Sequence, residues 1–381
     1  MNNSSPTIPL FDLNFDERET NAVLRVLNSK WLTMGPETEL FEQEFAENIG
    51  VRNAIATSNC TTALHLANMV CGVTSKDEVI CPALTFVATV NAILYAGGTP
   101  VFADVTSLND WTINPEDIAR KITPRTKAIM VMHYGGFACD MEAILEIAGR
   151  HDLRVIEDAA HGPGAYYGNK KLGTWGDVSC FSFFTNKNIS TGEGGMICTD
   201  NDDMAAEIRL LRSHGMTSAT LDRHKGHAFS YDVVRKGFNY RIDEIHSALG
   251  RVQLNKLDRG NELRQQAADY YRERLTTIDQ ISLPFRGTMH KPNNHIFPIL
   301  LPEGSDRASF MQSLRNRGIQ TSIHYPPVHR FSYYKENYGE ILLPLTEEIG
   351  NRVATLPMFP ALSRQQIDVI TESIQDYFNG R

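Results

Sequence analysis

Several features are scarce in this chain, and each absence excludes something. No apolar run reaches the length needed to cross a bilayer; the best, AIMVMHYGG, is broken at once. The opening MNNSSPTIPLFDLNFDERET has no basic stretch leading into an apolar one, so no secretory leader is expected and the cytoplasm is the plain location. Basic residues are the minority, 37 against 45 acidic, for a formal charge of -8. That balance speaks against a nucleic-acid partner, while leaving room for a phosphorylated small molecule in a local pocket. The six cysteines form no CxxC pair and sit largely in apolar surroundings, where buried free thiols are expected. Of the 12 histidines, His224 and His227, and His324 and His329, lie close together, but neither pair sits in a metal-ligand pattern. No metal site and no membrane contact are expected.

With 381 residues, 42% of them hydrophobic, the chain is globular and too long for one ordinary core. Residues 39–49 place Leu40, Phe41, Phe45 and Ile49 on one helical face. From about residue 55, the runs EVICPALTF, TPVFADV, KAIMVMHY, LRVIEDAA, DVSCFSFF and GGMICTD are strand-length without clean alternation, as strands buried on both faces are. Helical patterns separate several of them, which predicts a mostly parallel α/β sheet covered on both sides. Ligands bind such sheets at the carboxyl ends of the strands. A long or broken helix spans about 243–278. HIFPILL, a helix over 306–317, a short strand around QTSIHY and a final helix then make a smaller α+β unit. The expected division is a large domain over 1–255 and a small one over 256–381.

Four segments carry polar groups in positions that suggest chemistry. In ATSNCTTALHLANMVCG, Ser58, Asn59, Thr61 and Thr62 stand at a helix start, where free amides and the helix dipole suit a phosphate, although any helix wants such a cap. VIEDAAHG ends a buried run with Glu157 and Asp158. A carboxylate there is costly unless paired, whether with a cationic ring nitrogen, an arginine or a backbone cap. His161 lies just beyond. Lys187 follows FSFFTN and precedes GEGG, a setting in which a desolvated amine is a nucleophile toward an aldehyde. Ser182 and Asn186 lie near the same strand end. Asn239, Tyr240 and Arg241 form a polar loop before a helix starting at Asp243, and Phe86 is an aromatic available to stack on a planar ring.

Phosphate donors, a buried acid, a lysine and an aromatic in this order resemble the equipment of a pyridoxal phosphate enzyme. The runs TSNCTTALHLA, DEVICPALTFVATVNAILYAGGTPVFADV, VIEDAAHG, GDVSCFSFFTNKNISTGEGG and FNYRIDEIHSALGRVQLNKLD, continued by GIQTSIHYPPVH and LPMFP, resemble the DegT/DnrJ/EryC1/StrS family of sugar aminotransferases over nearly the whole chain. The resemblance implies an aspartate-aminotransferase-like (fold type I) large domain, a smaller C-terminal domain and a homodimer with shared active sites. By the same resemblance Lys187 looks like the lysine bonded to the cofactor and Asp158 like the acid opposite its ring nitrogen. Phe86 and His161 match residues flanking the ring, and Thr61 and Ser182 match phosphate contacts. Asn239 resembles the asparagine that reaches the neighbouring subunit's phosphate. Cys60 stands at the phosphate turn where many members have glycine, and His161 where many have glutamine.

The implied reaction moves an amino group from L-glutamate to a nucleotide-linked keto-sugar, with a 4-keto-6-deoxy hexose as the leading acceptor. Arg223, His224, His324, Tyr325 and His329 are the expected substrate contacts. Dehydratase members of the family carry histidine in place of the cofactor lysine, so Lys187 argues against that outcome. A 3-keto-sugar acceptor and a non-catalytic scaffold are the remaining alternatives.

Overall fold

The structure is a computed structural model and describes residues 8–217, 230–286 and 290–380. Its centre is a sheet built from β1 (Asn53–Thr57), β2 (Glu78–Pro82), β3 (Thr99–Ala103), β4 (Thr126–Met132), β5 (Arg154–Asp158), β8 (Val178–Ser182) and β9 (Gly195–Thr199), while β6 (Tyr166–Tyr167) and β7 (Lys170–Lys171) form a separate hairpin. The spatial order is β1-β9-β8-β5-β4-β2-β3. Neighbours from β8 through β3 pair in parallel, and β9 runs antiparallel to both β1 and β8. The expected mostly parallel sheet is therefore present, with one reversed strand.

Burial on both faces explains the unbroken apolar runs. Val79, Cys81, Met130, Ile156 and Cys180 point into one layer. There they meet helices α3 (Cys60–Val70), α4 (Val87–Tyr95) and α7 (Asp202–Arg212). Their neighbours Ile80, Ile129, Val131 and Val155 point the other way, against α5 (Pro115–Lys121) and α6 (Met141–His151). On that same side α2 (Pro36–Ile49) sets Phe45 edge-on to Phe181, ring centres 5.0 Å apart, which accounts for the phenylalanines of FSFF. Leu40 of the expected α2 face is instead 41% exposed, one residue step off the stripe that buries Phe41 and Phe45. Helix α1 (Glu17–Ser29) precedes α2 and packs on α8 (Glu244–Leu275).

The smaller unit pairs β10 (Phe297–Leu300) with β11 (Val353–Leu356) and packs them between helices that include Arg307–Asn316 and Arg364–Phe378. Its core also takes Ala267, Ala268, Tyr271 and Leu275 from α8. Residue 255, the expected boundary, falls inside that continuous helix. Ile8 joins the same core and exchanges backbone hydrogen bonds of 3.0 Å with Gly318 and Gln320, so the first described residues lie on the small unit. The strand expected around QTSIHY is reduced to the single bridge Ser322↔Thr355, because the chain then turns inward at His324 and Tyr325. No helix among the described residues is long and apolar enough to cross a membrane. All six cysteines are buried and free.

One buried carboxylate ties the sheet to the loop beneath the site. Glu157 accepts from the amides of Gly173 (2.8 Å), Trp175 (2.7 Å) and Gly176 (2.7 Å) and from His133 Nε2 (2.9 Å). Burial acts to raise its carboxyl, but the His133 bond and the Gly176 and Gly173 amides outweigh it and leave the group below the usual range. Its stabilising contribution is thus fully present above about pH 5 and is lost as pH falls through the lowered folded value. Glu157→Gln, which turns a donor toward amide donors, is expected to cost about 2–4 kcal/mol at neutral pH in urea unfolding. The difference between variant and native protein should shrink in acid; a pH-independent difference below about 0.5 kcal/mol contradicts this account.

Candidate active site

The carboxyl ends of the parallel strands converge on one cavity of about 410 Å³. Four of the strands contribute at their last residue or through the turn that follows. Asn59, Cys60 and Thr61 come after β1, Thr85 and Phe86 after β2, Asp158 and His161 from β5, and Ser182 to Lys187 from β8. His324 and Tyr325 of the small unit complete the wall. This is where open α/β sheets leave a crevice between diverging connections.

The turn after β1 is the amino end of α3. Asn59 caps it, accepting from the Thr62 amide at 2.9 Å through its side chain and from the Ala63 amide at 3.2 Å through its carbonyl. That leaves the amides of Cys60 and Thr61, both lining the cavity, for an anionic ligand. Cys60 is the first residue of α3 and has no positive φ, so its side chain does not disturb the turn. The room comes from the opposite side: a Cβ on Gly195 would sit 2.5 Å from the Asn59 carbonyl carbon and 2.7 Å from Cys60 N. The glycine-rich GEGG run thus lets β9 approach the phosphate-type turn.

Asp158 ends β5 and is 4% exposed. It accepts from Thr89 Oγ1 at 2.7 Å and from the Ala160 amide at 3.1 Å, and no salt bridge reaches it among the described residues. Thr89 spends its only hydrogen on Asp158, so Thr85 donates to Thr89 across 2.6 Å. Burial raises the Asp158 carboxyl, opposed by the Thr89 and Ala160 bonds and then by the charge of Lys187. A buried acid with so little compensation is a site for a cation.

Lys187 lies in the turn after β8, its amide bonded to the Phe184 carbonyl at 2.8 Å. Burial pushes its amine down to about 8, with Asp158 acting in the opposite direction. Beside it Asn186 holds a buried Oδ1 with no partner among the described residues, and Ser182 Oγ accepts from the Phe184 amide at 3.3 Å. Phe86, 57% exposed at the cavity mouth, and Tyr325 face each other with ring centres 6.0 Å apart. His161 accepts from the Gly135 amide at Nδ1 (3.1 Å), so Nε2 donates to the Tyr325 hydroxyl (3.0 Å). His324 is held from behind by Thr355 Oγ1 at 3.0 Å.

Two expected contacts do not line this cavity. Asn239 is exposed; Phe238 and Tyr240 on either side stack on one another at 4.8 Å against the chain, which turns the residue between them outward. His329 is buried elsewhere, bonded to Glu347 Oε1 at 3.1 Å and packed near Phe102. Arg223 and His224 lie outside the described residues. Conversely, Thr85, Thr89, Glu193 and His295 belong to the site or its lining and are not among the expected residues. Thr85 and Thr89 stand one helical turn apart in LTFVAT, a spacing visible in the letters; their target is not.

This donor set fits pyridoxal phosphate: a buried acid lacking a cation, an amine of lowered basicity, an orphaned amide oxygen and open helix-start amides. The description DegT/DnrJ/EryC1/StrS aminotransferase family matches residues 14–375. SpsC of Bacillus subtilis, a spore coat polysaccharide biosynthesis protein, is 36% identical over 371 residues, 96% of this chain and 95% of that one. Among solved structures, PseC of Helicobacter pylori, an aminotransferase involved in the biosynthesis of pseudoaminic acid, superposes with a TM-score of 0.91 at 30% identity, covering 99% of this chain and all of that one. The PLP form of the sugar aminotransferase Spr1654 from Streptococcus pneumoniae, putative by its own description, gives a TM-score of 0.90 at 25% identity, covering 99% of each chain. The chain has the fold of a type I pyridoxal phosphate enzyme and belongs to the DegT/DnrJ/EryC1/StrS aminotransferase family.

Proposed function

We propose that this protein transfers the amino group of L-glutamate to a nucleotide-linked keto-sugar, with a 4-keto-6-deoxy hexose as its acceptor. The observation that carries the reading is the pairing of Asp158 and Lys187 in one cavity: a buried acid that wants a cation beside an amine made less basic by burial. The amides of Cys60 and Thr61 and the hydroxyl of Ser182 would hold the cofactor's phosphate; Phe86 and His161 would lie along its ring, and Asp158 would keep a proton on the ring nitrogen. When bound, the cofactor supplies an aldehyde to take the amino group and an electron-withdrawing ring. Lys187 would be the point of attachment, and once the incoming glutamate amine has displaced it, its freed Nζ would take the proton from the glutamate α-carbon as general base. His324 and Tyr325 face the sugar, where the Tyr325 hydroxyl, already accepting from His161, has its own hydrogen to donate.

The outward-facing Asn239 supports a homodimer in which each copy completes its partner's phosphate site. Spore coat polysaccharide and pseudoaminic acid biosynthesis, the settings of two relatives, support an amino sugar for a surface glycan or lipopolysaccharide as the product. The enzyme works on soluble substrates in the cytoplasm.

Two tests follow from this reading. Apoprotein incubated with pyridoxal phosphate, reduced with borohydride and peptide-mapped will carry the label on Lys187. The rate of uptake will rise with pH through about 8, because only the neutral amine attacks, and not near the ordinary lysine value of about 10. Label on Lys170, Lys171 or Lys225, or a rate still climbing in step with pH beyond about 10, contradicts the assignment. In an amination screen over nucleotide-linked keto-sugars with glutamate, read by mass and product NMR, a 4-keto-6-deoxy sugar nucleotide will be converted to its amine. Turnover confined to 3-keto or free sugars overturns the acceptor, and a deoxy product overturns the transfer itself.

A further inference from the structure

Lys187 Nζ lies 3.4 Å from Nε2 of His295, a side chain 4% exposed in the NNHIFPILL run. The network behind His295 fixes which ring nitrogen carries the hydrogen. The Pro163 carbonyl can only accept, so the Asn261 amide 3.0 Å from it donates through Nδ2. That turns Asn261 Oδ1 toward Asn188 Nδ2, 2.8 Å away. The same nitrogen reaches a second acceptor-only group, the Asn293 carbonyl, at 3.5 Å. Asn188 therefore presents Oδ1 to His295 Nδ1 at 3.0 Å, and Nδ1 must donate. Burial, and then the neighbouring His161, Lys187, Arg264 and His324, push the ring well below the ordinary imidazole range and keep it neutral. A neutral ring donating from Nδ1 has its lone pair at Nε2, facing Lys187.

The surroundings hold this arrangement in place. Gly164 adopts a φ of +75°, and a Cβ there would lie 2.5 Å from Asn261 Nδ2. Asn293, fully buried, donates to the carbonyls of His161 (2.8 Å) and Pro163 (2.9 Å) and accepts from the His295 amide at 3.2 Å. The backbone and ring of His295 are thus both anchored to the loop that carries His161.

We propose that His295 is a positioning residue for Lys187: its Nε2 lone pair receives the lysine amine whenever that amine is not bonded to the cofactor, and keeps it within reach of the substrate α-carbon. The inference rests on Lys187 being the attachment lysine. A released lysine has four rotatable side-chain bonds over which to spread, and an acceptor of fixed direction removes that freedom when a proton has to move. The device works in one tautomer only: a hydrogen on Nε2 would face the ammonium form donor to donor, and would occupy the lone pair that the neutral amine needs for the α-proton.

Two measurements on the holoenzyme test it. Long-range proton–nitrogen NMR with 15N-histidine, the His295 signals assigned by their loss in His295→Gln, is expected to show Nδ1 protonated and Nε2 bare. In Asn188→Ala, which removes the Nδ1 partner, the ring should move toward the Nε2–H form. Single-turnover reaction with glutamate should slow about 10- to 100-fold in His295→Phe and in Asn188→Ala. The isotope effect with α-deuterated glutamate should grow in both, a change that a purely structural role does not produce. An Nε2–H ring in the native protein, or unchanged rates and isotope effects in both variants, overturns the proposal. Borohydride mapping of the same samples tells the two readings apart: cofactor still on Lys187 leaves the failure with His295, and cofactor on another lysine overturns the role of Lys187 beneath it.

Discussion

The structure turns on a buried carboxylate that no salt bridge reaches among the described residues. Asp158 sits at the end of a strand with, among the described residues, a threonine hydroxyl and one amide as its hydrogen-bond partners. Its neighbour Glu157, facing the opposite side of β5, receives four hydrogen bonds, three from the amides of Gly173, Trp175 and Gly176 and one from His133. Consecutive residues on a strand point to opposite faces, so two acids in a row divide the labour. Glu157 is saturated and structural, while Asp158 is under-satisfied and faces the cavity. A fold tolerates such a group only when something cationic is expected beside it, and the nearby lysine is itself weakened as a cation by burial.

The remaining pieces follow from where parallel strands end. Connections leaving β1, β2, β5 and β8 diverge and open the crevice, and the small unit closes it by turning His324 and Tyr325 inward. Phosphate-type amides, the acid and the lysine therefore come from segments far apart in the chain yet share one edge of the sheet. The hydrogen-bond run from Pro163 through Asn261 and Asn188 to His295 extends the same logic one layer back, fixing the direction of a ring that touches the lysine.

Much of this is legible in the sequence, and the exceptions have physical causes. Strands buried on both faces leave unbroken apolar runs, so β2, β3, β4, β5, β8 and β9 can be read directly. β1 is the alanine-rich NAIAT and carries no such run. Along α8 the letters suggest an apolar stripe of Ile245, Leu249, Val252, Leu254 and Leu257; Leu254 and Leu257 are buried, while the first three are only partly so, because the inner face also carries polar groups that pair across the interface, such as Lys256 with Glu19 at 2.7 Å. His329 looks like a ligand contact next to His324, but a short helical turn at Val328–Arg330 sends it toward Glu347. Asp158 and Lys187 stand out by their setting, a charged residue ending an apolar run. Thr89 and His295 do not, since each matters through a partner 69 or 108 positions away.

The central claim is that the charge on Asp158, beside Lys187, is what makes this cavity chemically competent. Asparagine at 158 keeps the size and the hydrogen bond from Thr89 while removing the charge. Single-turnover absorbance of the Asp158→Asn holoenzyme mixed with glutamate is therefore the most direct measurement. The account predicts retained cofactor and conversion to the amino form slowed on the order of 100-fold or more, the scale of losing one well-placed electrostatic partner. Conversion at close to the native rate, with cofactor bound, would contradict it.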